Sequence, residues 1–345
     1  MRIVIPILRF GRSGGERVIS KLASGLSSEG HDVTFIVPKG NDVPYYATTA
    51  KIITFEGSKS HFKIFRWISN YFNMLVSCKN VNADAVIATY HQMAYIALFL
   101  PRKMRRIYYI QAYEVNFYTN IIGKFFAGFT YMMPFEKIVN SECILPRFIN
   151  NYRACIPAGV DYNLFFGERR NATSGSRPIN IGIIGRKEPY KGTKEVLDTL
   201  LKYIKYNKLE NKVVINVAVY LADEYKSKGI KYHEVNNDVE LAGFYKLNDI
   251  FVATGLVEYG AFHYPCAESM VAGCLTISNY APLTDTDSCL KIIGFSQNEI
   301  IEKLNKAMNI YLSGEYFEIE RNQNAMLKYS WDNISRSFND IVNER

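Results

Sequence analysis

The opening of the chain alternates between apolar runs and a helical spacing of apolar positions. Residues 2–8 read as one continuously apolar run, which is typical of a strand buried on both faces of a parallel sheet. From residue 16 to residue 29, apolar side chains recur three and four positions apart, and this spacing predicts a helix that ends at Gly30. Residues 32–37 form a second apolar run. Together these segments predict a strand–helix–strand unit with a right-handed crossover.

The same alternation continues toward the carboxyl terminus. Further strands are predicted at residues 51–55, 84–89, 107–111, 137–140, 154–157, 179–184, 212–219, 249–253 and 275–278, and helices at 62–76, 193–206, 300–312 and 318–342. Strands that alternate with helices indicate doubly wound parallel sheets, so the predicted fold class is α/β. The run at 179–184 leads into a glycine turn as the first run does, and the chain therefore divides into two Rossmann-like halves.

The length of 345 residues favours two domains. The polar stretch at 169–178 is rich in residues that break helices and strands, and it is the best linker candidate. We therefore predict an amino-terminal domain over 1–168, a carboxyl-terminal domain over 178–330, and a last helix over 331–345 that packs back on the first domain. No run of eighteen apolar residues exists and the apolar start is too short for a signal peptide, so the expected location is the cytoplasm.

The formal net charge of +8 favours an anionic partner, which is phosphate, anionic lipid or nucleic acid. No nucleic-acid-binding motif accompanies the charge, so nucleic acid is not predicted as a partner. The six cysteines form neither a CxxC pair nor a cluster with histidine. A structural zinc site and a disulfide framework are therefore not expected.

Candidate ligand-binding residues follow the first strand of each half. Gly14 and Gly15 precede a helix, where backbone N–H groups favour a phosphate or carboxylate, although a tight strand-to-helix connection explains them as well. The second turn begins at Gly185 and carries Arg186 and Lys191 at the sheet edge where open α/β folds bind ligands. A guanidinium fork and an ammonium group suit a diphosphate there, with a solvated basic loop as the alternative.

A third candidate is Glu268, which lies in an otherwise apolar helical stretch. A carboxylate among apolar neighbours needs polar partners, which ribose hydroxyls would supply. The alternative is a glutamate that is satisfied by the backbone at its own helix start. His263 stands beside Tyr264 just before this stretch and is a candidate for contact with a sugar.

These segments resemble, in order, those of the family 4 glycosyltransferases. The matching segments are Gly14-Gly15-Glu16-Arg17 with Gly30-His31-Asp32-Val33, then Ile156-Pro157-Ala158-Gly159-Val160-Asp161, then Gly185-Arg186 with Lys191-Gly192, then Pro265-Cys266-Ala267-Glu268-Ser269-Met270. Each segment is short, but their order spans nearly the whole chain. The resemblance implies a glycosyltransferase-B fold, in which two Rossmann-like domains face a cleft.

The resemblance also implies an activity and roles for single residues. The activity would be transfer of a hexose or deoxyhexose from a nucleotide diphosphate sugar to a glycan or polyprenyl-linked glycan, with retention, in bacterial surface polysaccharide synthesis. Arg186 and Lys191 would neutralise the leaving diphosphate, so neither a metal nor a cofactor is implied. The implied donor-binding positions are Gly14, Gly15, Gly185, Tyr264 and, on the ribose, Glu268.

One departure from the family concerns the contact with the transferred sugar. The family usually has a glutamate eight residues before the ribose glutamate, and that position is Gly260 here. Glu258 is the candidate replacement. The family also often has a histidine after the strand at 84–89, which makes His91 the third predicted catalytic residue beside the two cations, although Thr89 fits that position as well.

A narrower resemblance involves the segment Tyr109-Ile110-Gln111-Ala112-Tyr113-Glu114, which is similar to a segment of rhamnan-type bacterial transferases. Those enzymes also lack the earlier glutamate. The resemblance implies a deoxyhexose donor such as dTDP-rhamnose, and it makes Gln111, Tyr113 and Glu114 candidate acceptor contacts.

Two segments of the first half, residues 62–72 and 124–133, mix aromatic, aliphatic and basic side chains, and a basic cluster lies between them. The cluster consists of Arg102, Lys103, Arg105 and Arg106. Such segments suit a surface that docks on anionic lipid at the inner face of the cell membrane. Core aromatics with solvated charges are the alternative.

Two other functions are compatible with these features. A nucleotide-sugar epimerase of the same fold would convert its substrate without an acceptor. A non-catalytic glycan-binding subunit is suggested by Gly260 and would not turn over a donor. A dehydrogenase is disfavoured, because the G-x-G-x-x-G fingerprint is absent.

Overall fold

The computed structural model describes residues 1–58, 61–142, 144–149, 151–168, 177–257 and 260–344. In chain order the strands are β1 (Arg2–Pro6), β2 (Asp32–Pro38), β3 (Lys51–Phe55), β4 (Ala85–Ala88), β5 (Arg105–Ile110), β6 (Glu136–Val139), β7 (Ala154–Cys155), β8 (Ile179–Ile184), β9 (Val213–Ala218), β10 (Lys231–His233), β11 (Ile250–Ala253) and β12 (Leu275–Ser278). The helices are α1 (Gly14–Ser28), α2 (Lys63–Asn80), α3 (His91–Leu98), α4 (Ile121–Thr130), α5 (Tyr162–Phe165), α6 (Thr193–Tyr206), α7 (Asp238–Leu247), α8 (Tyr264–Val271), α9 (Gln297–Ser313), α10 (Phe317–Met326) and α11 (Trp331–Asn343).

These elements form two compact units. The first runs to Gly159 and includes the last helix from Trp331 onward, and the second runs from Val160 to Ser330. The stretch at 160–168 therefore belongs to the second unit, whereas the sequence pattern had placed it in the first domain. The reason is local packing, because Val160 donates its N–H to the Tyr329 carbonyl and α5 packs against α7 and α8. Most of the predicted linker lies outside the described residues.

The first unit is built on a parallel sheet in the order β3-β2-β1-β4-β5-β6-β7, counted over the described residues. The strand order reverses between β1 and β4. At such a reversal the connections leave on opposite faces of the sheet, so the carboxyl ends of the two strands flank an open crevice where ligands bind. The residues after β1, β4 and β5 are therefore neighbours at this edge.

The second unit repeats this architecture with the strand order β10-β9-β8-β11-β12, again all parallel. Here the reversal lies between β8 and β11. Helices α6, α8 and α9 cover the sheet and pack with its strands around a core of isoleucine, leucine and valine. Two parallel sheets, each flanked by helices, confirm the predicted α/β fold class.

The carboxyl-terminal helical pattern divides into two helices. The helical pattern runs over 318–342, and a 3₁₀ turn at Leu327–Tyr329 and an extended Ser330 divide it into α10 and α11, so that α11 begins at residue 331, where the last helix was predicted to begin. Helix α11 packs against α1, as predicted for the last helix. Phe338 meets the buried ring of Tyr109 at 5.4 Å between centroids, and Asn339 Oδ1 lies 2.7 Å from His31 Nε2.

Candidate functional site

The loop after β8 carries both predicted phosphate-binding cations. Arg186 is exposed, and its backbone N–H donates to the Thr193 hydroxyl at 2.9 Å, which fixes the start of the loop to the start of α6. Gly192 has φ +72°, a left-handed conformation that favours glycine, and it begins α6 without a side-chain cap. The first N–H groups of α6 therefore face the same loop as half-buried Lys191.

His263 stands beside both cations. Burial, and then the positive charges of Lys191 and Arg186, lower the pKa of its imidazole to about 3. At neutral pH the ring is therefore uncharged, with one nitrogen able to accept a hydrogen bond and the other able to donate. Its Nδ1 atom is buried and has no hydrogen-bond partner among the described residues. An uncharged imidazole, whose buried Nδ1 no described residue bonds, therefore lies where the charges of both cations act on it.

Helix α8 begins directly after His263 and carries the remaining donor candidates. The helix has no side-chain cap, and Pro265 lies in its first turn, where the missing N–H costs nothing. Tyr264 is half-buried at the first position, and Glu268 is only 1% exposed one turn further. The four residues Arg186, Lys191, His263 and Glu268 thus come from the segments that follow β8 and β11, on either side of the strand reversal.

The predicted replacement for the missing sugar contact cannot be placed, because Glu258 lies outside the described residues. Gly260 can be placed. Its φ of +78° is in the left-handed region, where a side chain with a β-carbon is strained, and its N–H donates to the Asn279 carbonyl at 2.9 Å. The backbone here therefore favours glycine at the position where the resembled family has glutamate.

In the first unit, Gly15 at the start of α1 lies beside Gln111. Ser13 caps α1 and forms a capping box with Glu16, so the N–H of Glu16 is satisfied while those of Gly14 and Gly15 need other partners. A β-carbon at Gly15 would lie 3.5 Å from Gln111 Oε1. The structure thus brings together one predicted donor contact and one predicted acceptor contact.

His91 and Glu114 form a buried pair. The Glu114 carboxylate accepts from the backbone N–H of His91 at 2.6 Å, from its Nδ1 at 2.7 Å, and from the Tyr108 hydroxyl at 3.1 Å. On the other side of the ring, His91 Nε2 lies 2.9 Å from the Tyr118 hydroxyl, which in turn lies 3.3 Å from that of Tyr90. Both ring nitrogens of His91 are therefore engaged, and the group it presents outward is half-buried Tyr118.

This network changes the interpretation of two predicted site residues. Glu114 is 2% exposed and bonds protein groups, so the described contacts favour positioning of His91 over direct contact with an acceptor. Tyr113 stacks on Tyr131, whose hydroxyl accepts from the Glu114 N–H at 2.8 Å, so it supports the same network. The roles of His91 in catalysis and of these residues in acceptor binding stay predictions.

The first unit also exposes a set of large apolar side chains on α2, on α4 and beside them. They are Phe62, Ile64, Phe65, Ile68, Phe72, Ile121, Ile122, Phe125, Phe126 and Met132. We call this set the apolar face. Ile121, Ile122 and Phe125 are 85%, 71% and 64% exposed, which is unusual for a helix of a globular protein. No helix among the described residues is long and apolar enough to cross a membrane.

The basic cluster that was predicted beside these segments is smaller than its sequence indicates. Arg105 pairs with Glu136 at 2.6 Å and donates to backbone carbonyls at the end of α11. Arg106 donates to the Leu100 carbonyl at 2.7 Å. Arg102 and Lys103 are exposed, but all four residues lie at the amino end of β5, whereas α2 and α4 begin on the carboxyl side of the sheet. The charges close to the apolar face are Lys63, Arg66 and Lys124 on α2 and α4 themselves.

Sequence reasoning missed two residues that contact the loop after β11, Asn279 and Tyr280. Tyr118 belongs to the segment that resembles the rhamnan-type transferases, but it was not predicted as a site residue. Asn279 and Tyr280 directly follow β12, and only that position at the carboxyl edge of the sheet pointed to them. Their polar contacts span tens of residues and leave no pattern in the sequence.

Comparison of the sequence with models of known protein families and with curated protein sequences found no match. Comparison with solved structures found many that share the fold. Sucrose-phosphate synthase from Thermosynechococcus elongatus matches with a TM-score of 0.74 at 14% identity, over 99% of this chain and 98% of that one. HepE from Anabaena, in complex with UDP and glucose, matches with a TM-score of 0.73 at 12% identity, over 99% of both chains.

A further similar structure is WaaG, described as a glycosyltransferase involved in lipopolysaccharide biosynthesis. It matches with a TM-score of 0.68 at 14% identity, over 99% of this chain and 100% of that one. At such identities the shared property is the fold. Over nearly its whole length, this chain therefore has the glycosyltransferase-B fold of these proteins.

Proposed function

We propose that the chain is a glycosyltransferase that moves a sugar from a nucleotide diphosphate donor to a glycan or lipid-linked glycan. The second unit would bind the donor and the first unit the acceptor. The observation that carries this proposal is the grouping of Arg186 and Lys191 around the neutral imidazole of His263 at the carboxyl edge of β8 and β11. Two cations and one uncharged hydrogen-bonding ring suit a diphosphate that is joined to a sugar.

Solved structures of the same fold support the donor class. HepE was solved in complex with UDP-glucose, and the trehalose-6-phosphate protein from E. coli with UDP-2-fluoro glucose. A nucleotide sugar is therefore a ligand that this fold accommodates. Applied to this chain, the ribose would bond the buried carboxylate of Glu268 on α8, one turn after Tyr264.

In the proposed reaction the bond between the sugar C1 and the diphosphate oxygen breaks while a bond from the acceptor oxygen to C1 forms. The acceptor proton passes to the leaving phosphate, so the products are the extended glycan and a nucleoside diphosphate. Negative charge grows on the diphosphate as the bond breaks, and Arg186 and Lys191 would stabilise it. We propose that these cations act without a metal and that the anomeric configuration is retained.

We further propose a deoxyhexose donor such as dTDP-rhamnose. The support is Gly260, whose left-handed backbone favours glycine over a residue with a carboxylate at this position. A donor sugar with fewer hydroxyl groups loses less from the absence of that contact. A panel of UDP-glucose, GDP-mannose and dTDP-rhamnose tests this, and turnover of the first two without the third would contradict it.

Thermal unfolding with added nucleotides tests the donor site without knowledge of the acceptor. A ligand present at about a hundred times its Kd stabilises the native state by about 2.7 kcal/mol, so the melting temperature should rise with UDP or dTDP. UMP is the matched control, because it lacks the second phosphate that the two cations would hold. Absence of a shift with UDP, dTDP and GDP alike would contradict the proposed function.

We also propose that the first unit docks on an anionic membrane surface, where a polyprenyl-linked acceptor would be found. The apolar face supports this, because helices with exposed isoleucine and phenylalanine next to Lys63, Arg66 and Lys124 suit the boundary between headgroups and acyl chains. The chain's net charge of +8 adds attraction to anionic lipid.

Flotation with vesicles tests the membrane proposal. Replacement of Ile122 and Phe125 by serine should lower the partition onto phosphatidylglycerol-containing vesicles about tenfold, because two apolar side chains no longer enter the lipid. Ile293→Ser is the control, since Ile293 is even more exposed but lies in the second unit. Equal flotation of wild type and both variants, or none at all, would contradict docking through the apolar face.

A further inference from the structure

A short segment after β12 fixes the loop that carries His263. Ala281 donates its N–H to the Ala261 carbonyl at 3.0 Å and accepts from the His263 N–H at 2.9 Å. The Gly260 N–H donates to the Asn279 carbonyl at 2.9 Å. These bonds extend the pairing of β11 and β12 beyond the ends of both strands. Residues 279–281 thus hold the backbone at Gly260, Ala261 and His263.

The side chain of Asn279 holds the start of the same loop. Its Oδ1 accepts from the Gly255 N–H at 3.1 Å, and its Nδ2 donates to the carbonyls of Gly255 at 2.7 Å and Gly294 at 3.0 Å. Asn279 is fully buried, and this pattern uses both amide hydrogens and the oxygen. Only an amide of this length satisfies both backbone groups of Gly255 at once.

Tyr280 bonds Val257 and contacts His263 itself. Its hydroxyl donates to the Val257 carbonyl at 2.9 Å, and a β-carbon at Gly255 would overlap that hydroxyl. Its ring lies against the His263 imidazole, with 4.3 Å between the ring centres and 34° between their planes. The phenol therefore holds the Val257 carbonyl with its hydroxyl and packs its ring against the His263 imidazole.

We propose that Asn279 and Tyr280 are positioning residues of the donor site. They hold residues 255, 257 and 260–263 so that the imidazole lies where the charges of Arg186 and Lys191 act on it. The backbone at Gly260 favours glycine over the glutamate of the resembled family. This inference rests on the proposed function, because the contacts of Asn279 and Tyr280 can serve donor binding only if the two cations bind a nucleotide diphosphate. The alternative is a purely structural role in joining two strand ends.

UDP binding and thermal unfolding of the Tyr280→Phe variant, measured together, test the inference. This substitution keeps the ring and removes one hydrogen bond, so the Kd for UDP should rise about fivefold. Tyr203→Phe is the matched control, because it also removes a single phenol hydrogen bond, from Tyr203 to Asn305 Oδ1 at 2.9 Å, on helix α6 of the same unit. Both variants should lose similar stability, but only Tyr280→Phe should bind UDP more weakly.

A double variant shows whether Tyr280 acts through His263. If it does, His263→Ala should weaken UDP binding, and adding Tyr280→Phe to it should weaken binding no further, because neighbouring residues in one network are not additive. Equal Kd values for wild type and Tyr280→Phe, or additive effects in the double variant, would overturn the inference. Failure of wild type to bind UDP, dTDP or GDP would instead overturn the proposed function, so the two failures are distinguishable.

Discussion

Replacement of Lys191 by alanine should lower the turnover of the nucleotide-sugar donor about a hundredfold or more. The same loss is expected for Arg186→Ala, because each cation would stabilise charge that grows on the leaving diphosphate only as the bond to the sugar breaks. Neither side chain belongs to a hydrophobic core, so the melting temperature should stay close to that of wild type. Release of nucleoside diphosphate is the measurement, and kcat should fall more than KM rises.

The matched control for this pair is Lys187→Ala. Lys187 belongs to the same loop and carries the same charge, but the charges that lower the pKa of His263 are those of Lys191 and Arg186, while Lys187 Nζ lies 5.5 Å from the centre of the Tyr220 ring. Arg186→Lys adds a second comparison, since it keeps the charge and removes the planar fork. Turnover that falls equally in the Lys187 and Lys191 variants would show that only the net charge of the loop matters, which would contradict the proposed roles.

The elements that the sequence predicted well are those in which the apolar positions follow a clear strand or helix pattern. Strands β3, β8 and β12 and helix α6 have the bounds that the pattern predicted. Strands β8 and β12 are mostly buried apolar runs, β3 is a short run rich in β-branched residues, and α6 has one clear apolar stripe. Helix α4 was not predicted, since apart from Lys124 it consists of apolar, glycine and threonine residues and has no polar face. The apolar composition that hid the helix in the sequence is also what leaves Ile121, Ile122 and Phe125 exposed on its surface.

The periodic pattern over 318–342 does not itself show the break between α10 and α11, although the last helix was predicted to begin at residue 331. No glycine or proline lies between Leu327 and Ser330, so the sequence has no breaker there. Tertiary contacts end the helix instead, since Val160 pairs with Ser330 and the Tyr329 hydroxyl bonds Asp285 at 3.0 Å. Local pattern therefore predicts that a segment is helical better than it predicts where the helix must stop.

The candidate site was predicted in part. The loop with Arg186 and Lys191 could be found because glycine, cations and a preceding strand are adjacent in the sequence. The pair of His91 and Glu114 could not, because 23 residues separate them and the sequence does not tell which polar groups become buried together. The sequence therefore predicts Glu114 as an acceptor contact without showing that its carboxylate is buried against His91.

The burial of Glu114 leads to the largest expected effect on stability. Its carboxylate serves two nitrogens of His91 and the hydroxyl of Tyr108. Glu114→Ala would leave these groups without a partner in a region closed to water, and it should destabilise the first unit by about 3–5 kcal/mol. Glu114→Gln keeps an oxygen that accepts at the same place, so it should cost less, about 1–3 kcal/mol. The midpoint of urea unfolding, followed at constant m-value, is the measurement.

Glu142→Ala is the control, because Glu142 is an exposed glutamate of the same unit and its replacement should change stability by about 0.5 kcal/mol or less. The loss of stability should be largest for Glu114→Ala, smaller for Glu114→Gln and smallest for Glu142→Ala, because this order follows the hydrogen bonds that each variant retains. If Glu114→Gln proved as stable as wild type while transfer to the acceptor collapsed, the carboxylate would have to act on the reaction and not on the fold. That outcome would return Glu114 to the acceptor site, where the sequence had placed it, and would make His91 and Tyr118 its route to the substrate.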